Sequence, residues 1–135
     1  MKRILKSLAL CAAFLGTTPA MAEQLPGSEW GPTELNGSAF APIKDVFIRF
    51  DQDGRFFGSG GCNTMRGSFV TNGDAILMGP AATTMMACPE DQMKQEYEFL
   101  QALNSIRGFD RDGTTLTLSD GEGVVVMVLQ QRDAD

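Results

Sequence analysis

Five Asn-Gly or Asp-Gly pairs punctuate this chain: Asn36-Gly37, Asp53-Gly54, Asn72-Gly73, Asp112-Gly113 and Asp120-Gly121. Asn, Asp and Gly tolerate the positive φ angles that tight hairpins demand, so such pairs restrict the chain to short antiparallel strands joined by tight turns. The intervening segments carry the matching two-residue period. In Val46-Phe47-Ile48-Arg49-Phe50, the residues Val46, Ile48 and Phe50 share one face, and Leu116 and Leu118 alternate with Thr115, Thr117 and Ser119. Arg66 to Thr71 and Ala75 to Gly79 flank Asn72-Gly73 as a hairpin. Val124 to Leu129 is apolar at every position, which predicts a strand covered on both faces.

One segment breaks this rhythm. Between Pro89 and Arg107, apolar residues fall at Met93, Tyr97, Leu100, Leu103 and Ile106, spacings of three and four that define a helical stripe. Pro89 suits the first helical position, Glu90 and Asp91 suit the positive end of the helix dipole, and Arg107-Gly108 suits its close. A lone helix must bury its stripe against the sheet. The expected fold class is therefore α+β, a curved antiparallel β-sheet or partial barrel packed on one α-helix.

The amino terminus has the form of a secretory signal. Lys2, Arg3 and Lys6 precede the apolar run Leu8 to Leu15, and Ala20-Met21-Ala22 offers a small-x-small cleavage site. Residues 1–22 are read as a signal peptide removed after Ala22, and residues 23–135 as one domain. The apolar run is shorter than the roughly 20 residues of a spanning helix, so no transmembrane anchor is expected. A lipid anchor at Cys11 is the competing reading, but Leu10 is large where a lipoprotein box takes a small residue.

Cleavage would leave eight basic residues against seventeen acidic ones, a net charge of −9 where the full chain has −6. That sign disfavours phosphate backbones, so nucleic acid is not an expected partner. Cleavage would also remove Cys11 and leave an even pair, Cys62 and Cys88, expected to form a disulfide in the periplasm or outside the cell.

The residue inventory narrows the chemistry. Histidine is absent, which removes Ser-His and Cys-His nucleophiles and the commonest transition-metal ligand. Asp51-Gln52-Asp53-Gly54 opens like a calcium loop, but Gly60 stands where the closing Glu belongs. Gly58-Ser59-Gly60-Gly61 lacks the Lys-Ser/Thr of a phosphate loop and reads as a strand whose backbone passes close to a neighbour. Met85-Met86 beside Cys88 raises copper(I), yet a disulfide would withdraw the thiolate. Glu90, Asp91, Glu96 and Glu98 suit a first turn and a solvated helix face. No cofactor and no metal site are expected, and the chain is read as a non-enzyme.

Gly61-Cys62-Asn63, the later Thr84-Met85-Met86-Ala87-Cys88, the helix after it and Leu116-Thr117-Leu118…Gly123 resemble the META domain family, the HslJ-like heat-shock-associated proteins. Trp30…Leu35-Asn36-Gly37 and Phe50-Asp51-Gln52-Asp53-Gly54-Arg55 fit its opening strands, so the resemblance spans most of residues 28–130. It implies a small α+β domain, an envelope or secreted location, and a role in stress tolerance with no catalytic residue set. Membrane tethering, frequent in such proteins, is not carried over without a lipid box. The expectation is thus a monomeric, non-catalytic periplasmic or secreted protein that binds a protein or lipid partner. Cys62 and Cys88 would be its staple, and Asn63 and Arg66 its candidate binding residues. The alternative is a small-ligand carrier or carboxylate-based enzyme working from the interior of the curved sheet.

Overall fold

Each turn pair sits at the end of a strand, and the backbone angles show how each hairpin is made. The computed structural model describes residues 24–132. Asn36 and Gly37, both at positive φ (50° and 81°), form a two-residue turn between β1 (Ser28–Leu35) and β2 (Ser38–Ala39). At Asn72-Gly73 and Asp112-Gly113 the Asn or Asp is the last paired residue, and glycine is the first of a two-residue loop. Asp53-Gly54 closes a longer turn in which the Asp51 N–H donates to Arg55 O. Phe50–Gly54 and Phe109–Gly113 echo each other in sequence but take different turns. At Asp120-Gly121 the left-handed residue is Gly123, not Gly121.

The remaining elements are β3 (Phe47–Phe50), β4 (Arg55–Ser59), β5 (Thr64–Asn72), β6 (Ala75–Met78), β7 (Ala82–Thr83), α1 (Glu90–Ser105), β8 (Gly108–Asp112), β9 (Thr115–Ser119) and β10 (Val125–Arg132). All pairings are antiparallel, in the order β10-β9-β8-β6-β5-β4-β3-β1, and β1 then pairs β10 from Glu29↔Arg132 to Leu35↔Met127. The sheet closes on itself. The expected α+β architecture is therefore corrected to a mainly β fold, a closed eight-stranded antiparallel barrel with β2 and β7 as short additions. The reason lies in β1, which is hydrogen-bonded along both of its edges, to β3 and to β10. Closure gives the inward side chains of opposite walls to one another, so no helix is needed to cover a sheet face.

The interior is filled. Trp30, Ile48, Phe50, Phe56, Met65, Phe99, Ile106, Leu116, Leu118, Met127 and Leu129, with Leu25 from the segment before β1, are among the most deeply buried side chains and belong to one cluster. The faces read from Val46, Ile48, Phe50 and from Leu116, Leu118 are the inward ones. The Val124–Leu129 run is not covered on both sides. Val124 and Val125 are exposed, and a register shift against β9 between Val125 and Met127 puts the consecutive residues Val126 and Met127 inside.

The helix also differs in detail. Pro89 is its N-cap, and it ends at Ser105. Gly108 begins β8 instead of terminating the helix. Arg107 nonetheless serves that end, because its Nη1 donates to Asn104 O and Ile106 O at 3.1 and 2.7 Å. The expected stripe holds at Leu103 and Ile106, which are buried, and at Leu100, which packs against the core, but not at its start. Met93 and Tyr97 face solvent, and the buried side is Gln95, Glu96, Phe99, Ala102 and Leu103. Residues 1–22, with Cys11 and the expected cleavage site, lie outside the described residues. Among the described residues, no helix is long and apolar enough to cross a membrane.

Candidate functional site

Two constellations stand out, one holding the fold and the other facing solvent. The first is built where the β4–β5 loop meets the start of α1. A Cβ on Gly60 would come 2.7 Å from Glu96 Cγ and 3.1 Å from Glu96 Cα, so only glycine lets the helix approach this closely. Gly61, at φ 106°, lies against Gln95, whose amide donates to Gly60 O and accepts from the Ile43 N–H. The glycine-rich stretch is thus a seat for the helix.

Asn63 completes this seat. Its backbone N–H and Nδ2 donate to the two carboxylate oxygens of Glu96, at 2.6 and 2.8 Å. Its Oδ1 accepts from Thr84 Oγ1 and from the Met86 N–H, at 2.9 and 2.6 Å. One buried side chain therefore ties the loop, the segment before α1 and α1 itself. Cys62 and Cys88 are bonded as a disulfide across the same gap, with Cα atoms 6.0 Å apart and a sequence separation of 26. In the chain-entropy picture a loop of that size stabilises by about 3.5 kcal/mol. Glu96 departs from the solvated helix face that its charge suggests: it is buried, because Asn63 satisfies it.

Arg66, the other expected binding residue, is elsewhere. It lies on the outer wall of the barrel, where strand register assembles a row that no local pattern announces. Arg49 of β3 pairs with Phe57 of β4, and Phe57 pairs with Arg66 of β5, so the three side chains stand side by side facing out. The guanidinium groups of Arg49 and Arg66 lie 5.0 and 5.2 Å from the Phe57 ring centroid. Phe47 packs on Phe57 at 5.8 Å and carries Arg132 at 5.2 Å. Arg132 chelates Asp45 with both Nη atoms and lies 3.5 Å from Glu29, while Arg49 pairs with Asp51 at 2.8 Å.

Beside this ladder opens a cleft of about 840 Å³, walled by Arg49, Arg55, Phe57, Arg66, Ser68, Pro80 and Ala82 among others. Arg55 and Ser68 form the next outward pair along β4 and β5, so two arginines, a hydroxyl and a ring occupy adjacent positions. Sequence alternation alone marks Arg49, Phe57 and Arg66 as outward residues. Which of them stand opposite one another depends on register, and that is not written in any one strand.

The Asn63 node brings together the segments quoted as the signature of a family, Gly61-Cys62-Asn63 and Thr84-Met85-Met86-Ala87-Cys88, and a family model, the META domain, matches residues 23–133. The chain belongs to the META domain family. Within this META domain the signature residues have a structural task, since the disulfide and the Asn63 hydrogen bonds close one junction. Three-dimensional likeness extends to a protein from Burkholderia xenovorans, whose NMR structure is 20% identical, with 80% of this chain and 83% of that chain covered and a TM-score of 0.63. A DUF4847 family protein from Bacteroides vulgatus is 18% identical, with 82% and 96% covered and a TM-score of 0.63. At such identities the likeness concerns the fold alone. No curated protein matches the chain.

Proposed function

We propose that this META domain is an exported, non-catalytic binding module of the cell envelope, supporting stress tolerance through a protein or lipid partner held at the outer-wall cleft. The observation that carries this reading is the contrast between a filled interior and an open wall. Carriers and interior enzymes need a lined hollow, whereas here large apolar side chains from all walls occupy that space. The cleft beside Phe57 offers instead an exposed, partly apolar surface with oriented donors. A non-catalytic role is supported by the absence of histidine and by Glu96, whose carboxylate oxygens are both bound by Asn63. The disulfide supports a periplasmic or secreted location, with residues 1–22 as the removed signal.

The test is affinity capture from envelope extract, comparing the immobilised wild-type domain with a Phe57→Ala/Arg66→Ala double variant. A protein or lipid retained by the wild type and lost from the variant is expected. Equal retention by both, or retention by neither, overturns the reading.

A further inference from the structure

On the outer wall, the stacked arginines follow a common rule with one exception. Arg132 lies on the Phe47 ring and is neutralised by Asp45 and Glu29; Arg49 lies on the Phe57 ring and is neutralised by Asp51. Arg66 shares the Phe57 ring, but among the described residues no carboxylate lies within ion-pair distance of it. Its guanidinium is oriented by the ring and opens onto the cleft. Its neighbours supply further donors. Arg55 is held only loosely, 4.0 Å from Asp53, and the Ser68 hydroxyl stands opposite Arg55 on β5.

Resting on the cleft reading above, we propose that the ligand group taken by this site is a carboxylate, which completes at Arg66 the ion pair its own chain does not provide. A planar guanidinium fixed on a ring matches the two oxygens of a carboxylate. The charge balance points to a single negative charge. The cleft holds Arg49, Arg55 and Arg66 against Asp51 and Asp53, a net of one positive charge, and the two aspartates would repel a phosphate dianion. The Phe57 ring with Pro80 and Ala82 gives the ligand's remaining body an apolar bed, so the fitting ligand is a monocarboxylate with an apolar part. Such a group is carried either by a small organic acid or by a glutamate of a partner peptide.

The experiment is an NMR titration of the intact disulfide-bonded domain with three probes: benzoate, a capped hexapeptide containing one glutamate, and inorganic phosphate. Saturable shifts of the Arg66, Gly67 and Ser68 amides are expected with a carboxylate probe. Saturation by benzoate identifies a small acid as sufficient, and saturation by the peptide alone identifies an acidic side chain as the source. Arg66→Ala should weaken binding about tenfold, and Arg66→Lys should restore only part of it, because a point charge replaces a bidentate fork. Tighter binding of phosphate than of either carboxylate, no saturable shift with either, or an unchanged response in Arg66→Ala overturns the proposal. Cleft-dependent partner capture that excess benzoate and peptide fail to compete sinks the carboxylate assignment and leaves the binding module standing. Loss of cleft dependence in capture sinks the module reading itself.

Discussion

Asn63 shows how much a single side chain can hold. It is buried, its two oxygen lone pairs and its Nδ2 are engaged, and its backbone N–H adds a further bond to Glu96. Truncation would leave a buried carboxylate short of a donor and the Met86 amide without an acceptor. Removing one partner from such an array costs more than the bonds are worth, because the remaining groups stay desolvated. Asn63→Ala should therefore lower stability by about 3 kcal/mol in urea or thermal unfolding. Gly60 makes a second residue-scale prediction. A methyl there meets helix backbone, so Gly60→Ala should cost about 1–3 kcal/mol. Gly121→Ala is the control, since its Cβ would meet nothing nearer than Arg107 Cγ at 3.6 Å. Equal effects of the two alanines would show that the helix seat is not tight.

At the scale of the element, α1 separates two uses of apolar residues. The period of three and four is present in the sequence, but it fits two adjacent stripes, Met93–Tyr97–Leu100 and Phe99–Leu103–Ile106. Periodicity places residues on a face; it does not say which face turns inward. The choice is made by Gln95 and Glu96, whose polar groups are satisfied by the β4–β5 loop and, for the Gln95 carbonyl, by the Ile43 N–H between β2 and β3. Once they face inward, Phe99, Ala102 and Leu103 follow. Phe99→Ala should then destabilise by about 3–5 kcal/mol. Tyr97→Ser, on an exposed side chain, should stay within about 0.5 kcal/mol of wild type. Chemical denaturation of both variants checks the assignment, and a larger loss for Tyr97→Ser would reverse it. The strands were easier to read. Val46–Phe50 and Leu116–Leu118 alternate cleanly, because each has one face in the core and one in water. The ladder of Arg49, Phe57 and Arg66 was legible only as three outward positions, since register across β3, β4 and β5 depends on two turns acting together.

For the whole molecule the decisive fact is closure, and it was hidden for a physical reason. β1 contains Gly31 and Pro32, which weaken its strand signal, and its pairing with β10 joins residues about a hundred positions apart. Pro32 is accommodated where the β1–β10 register shifts, a position that tolerates a missing N–H. Closure is also uneven around the barrel. β1 and β10 share six paired positions, whereas β6 and β8 share only Ala75↔Gly108. The chain end of α1 reinforces that seam. The Arg107 N–H donates to Ser119 O, its carbonyl accepts from the Ile76 N–H, and Phe109 donates to Asp74 O. With so few bonds, the β6–β8 seam should be the first place where the barrel opens, because sub-global opening follows the least cooperative contacts. Amide hydrogen exchange under native conditions should find the Ile76 and Phe109 amides exchanging at least about tenfold faster than the bonded amides of β1 and β10, a difference of roughly 1.4 kcal/mol in opening free energy. Uniform protection around all eight strands would mean that the helix end, through Arg107 and the buried Ile106, closes the seam as firmly as a full strand pairing does.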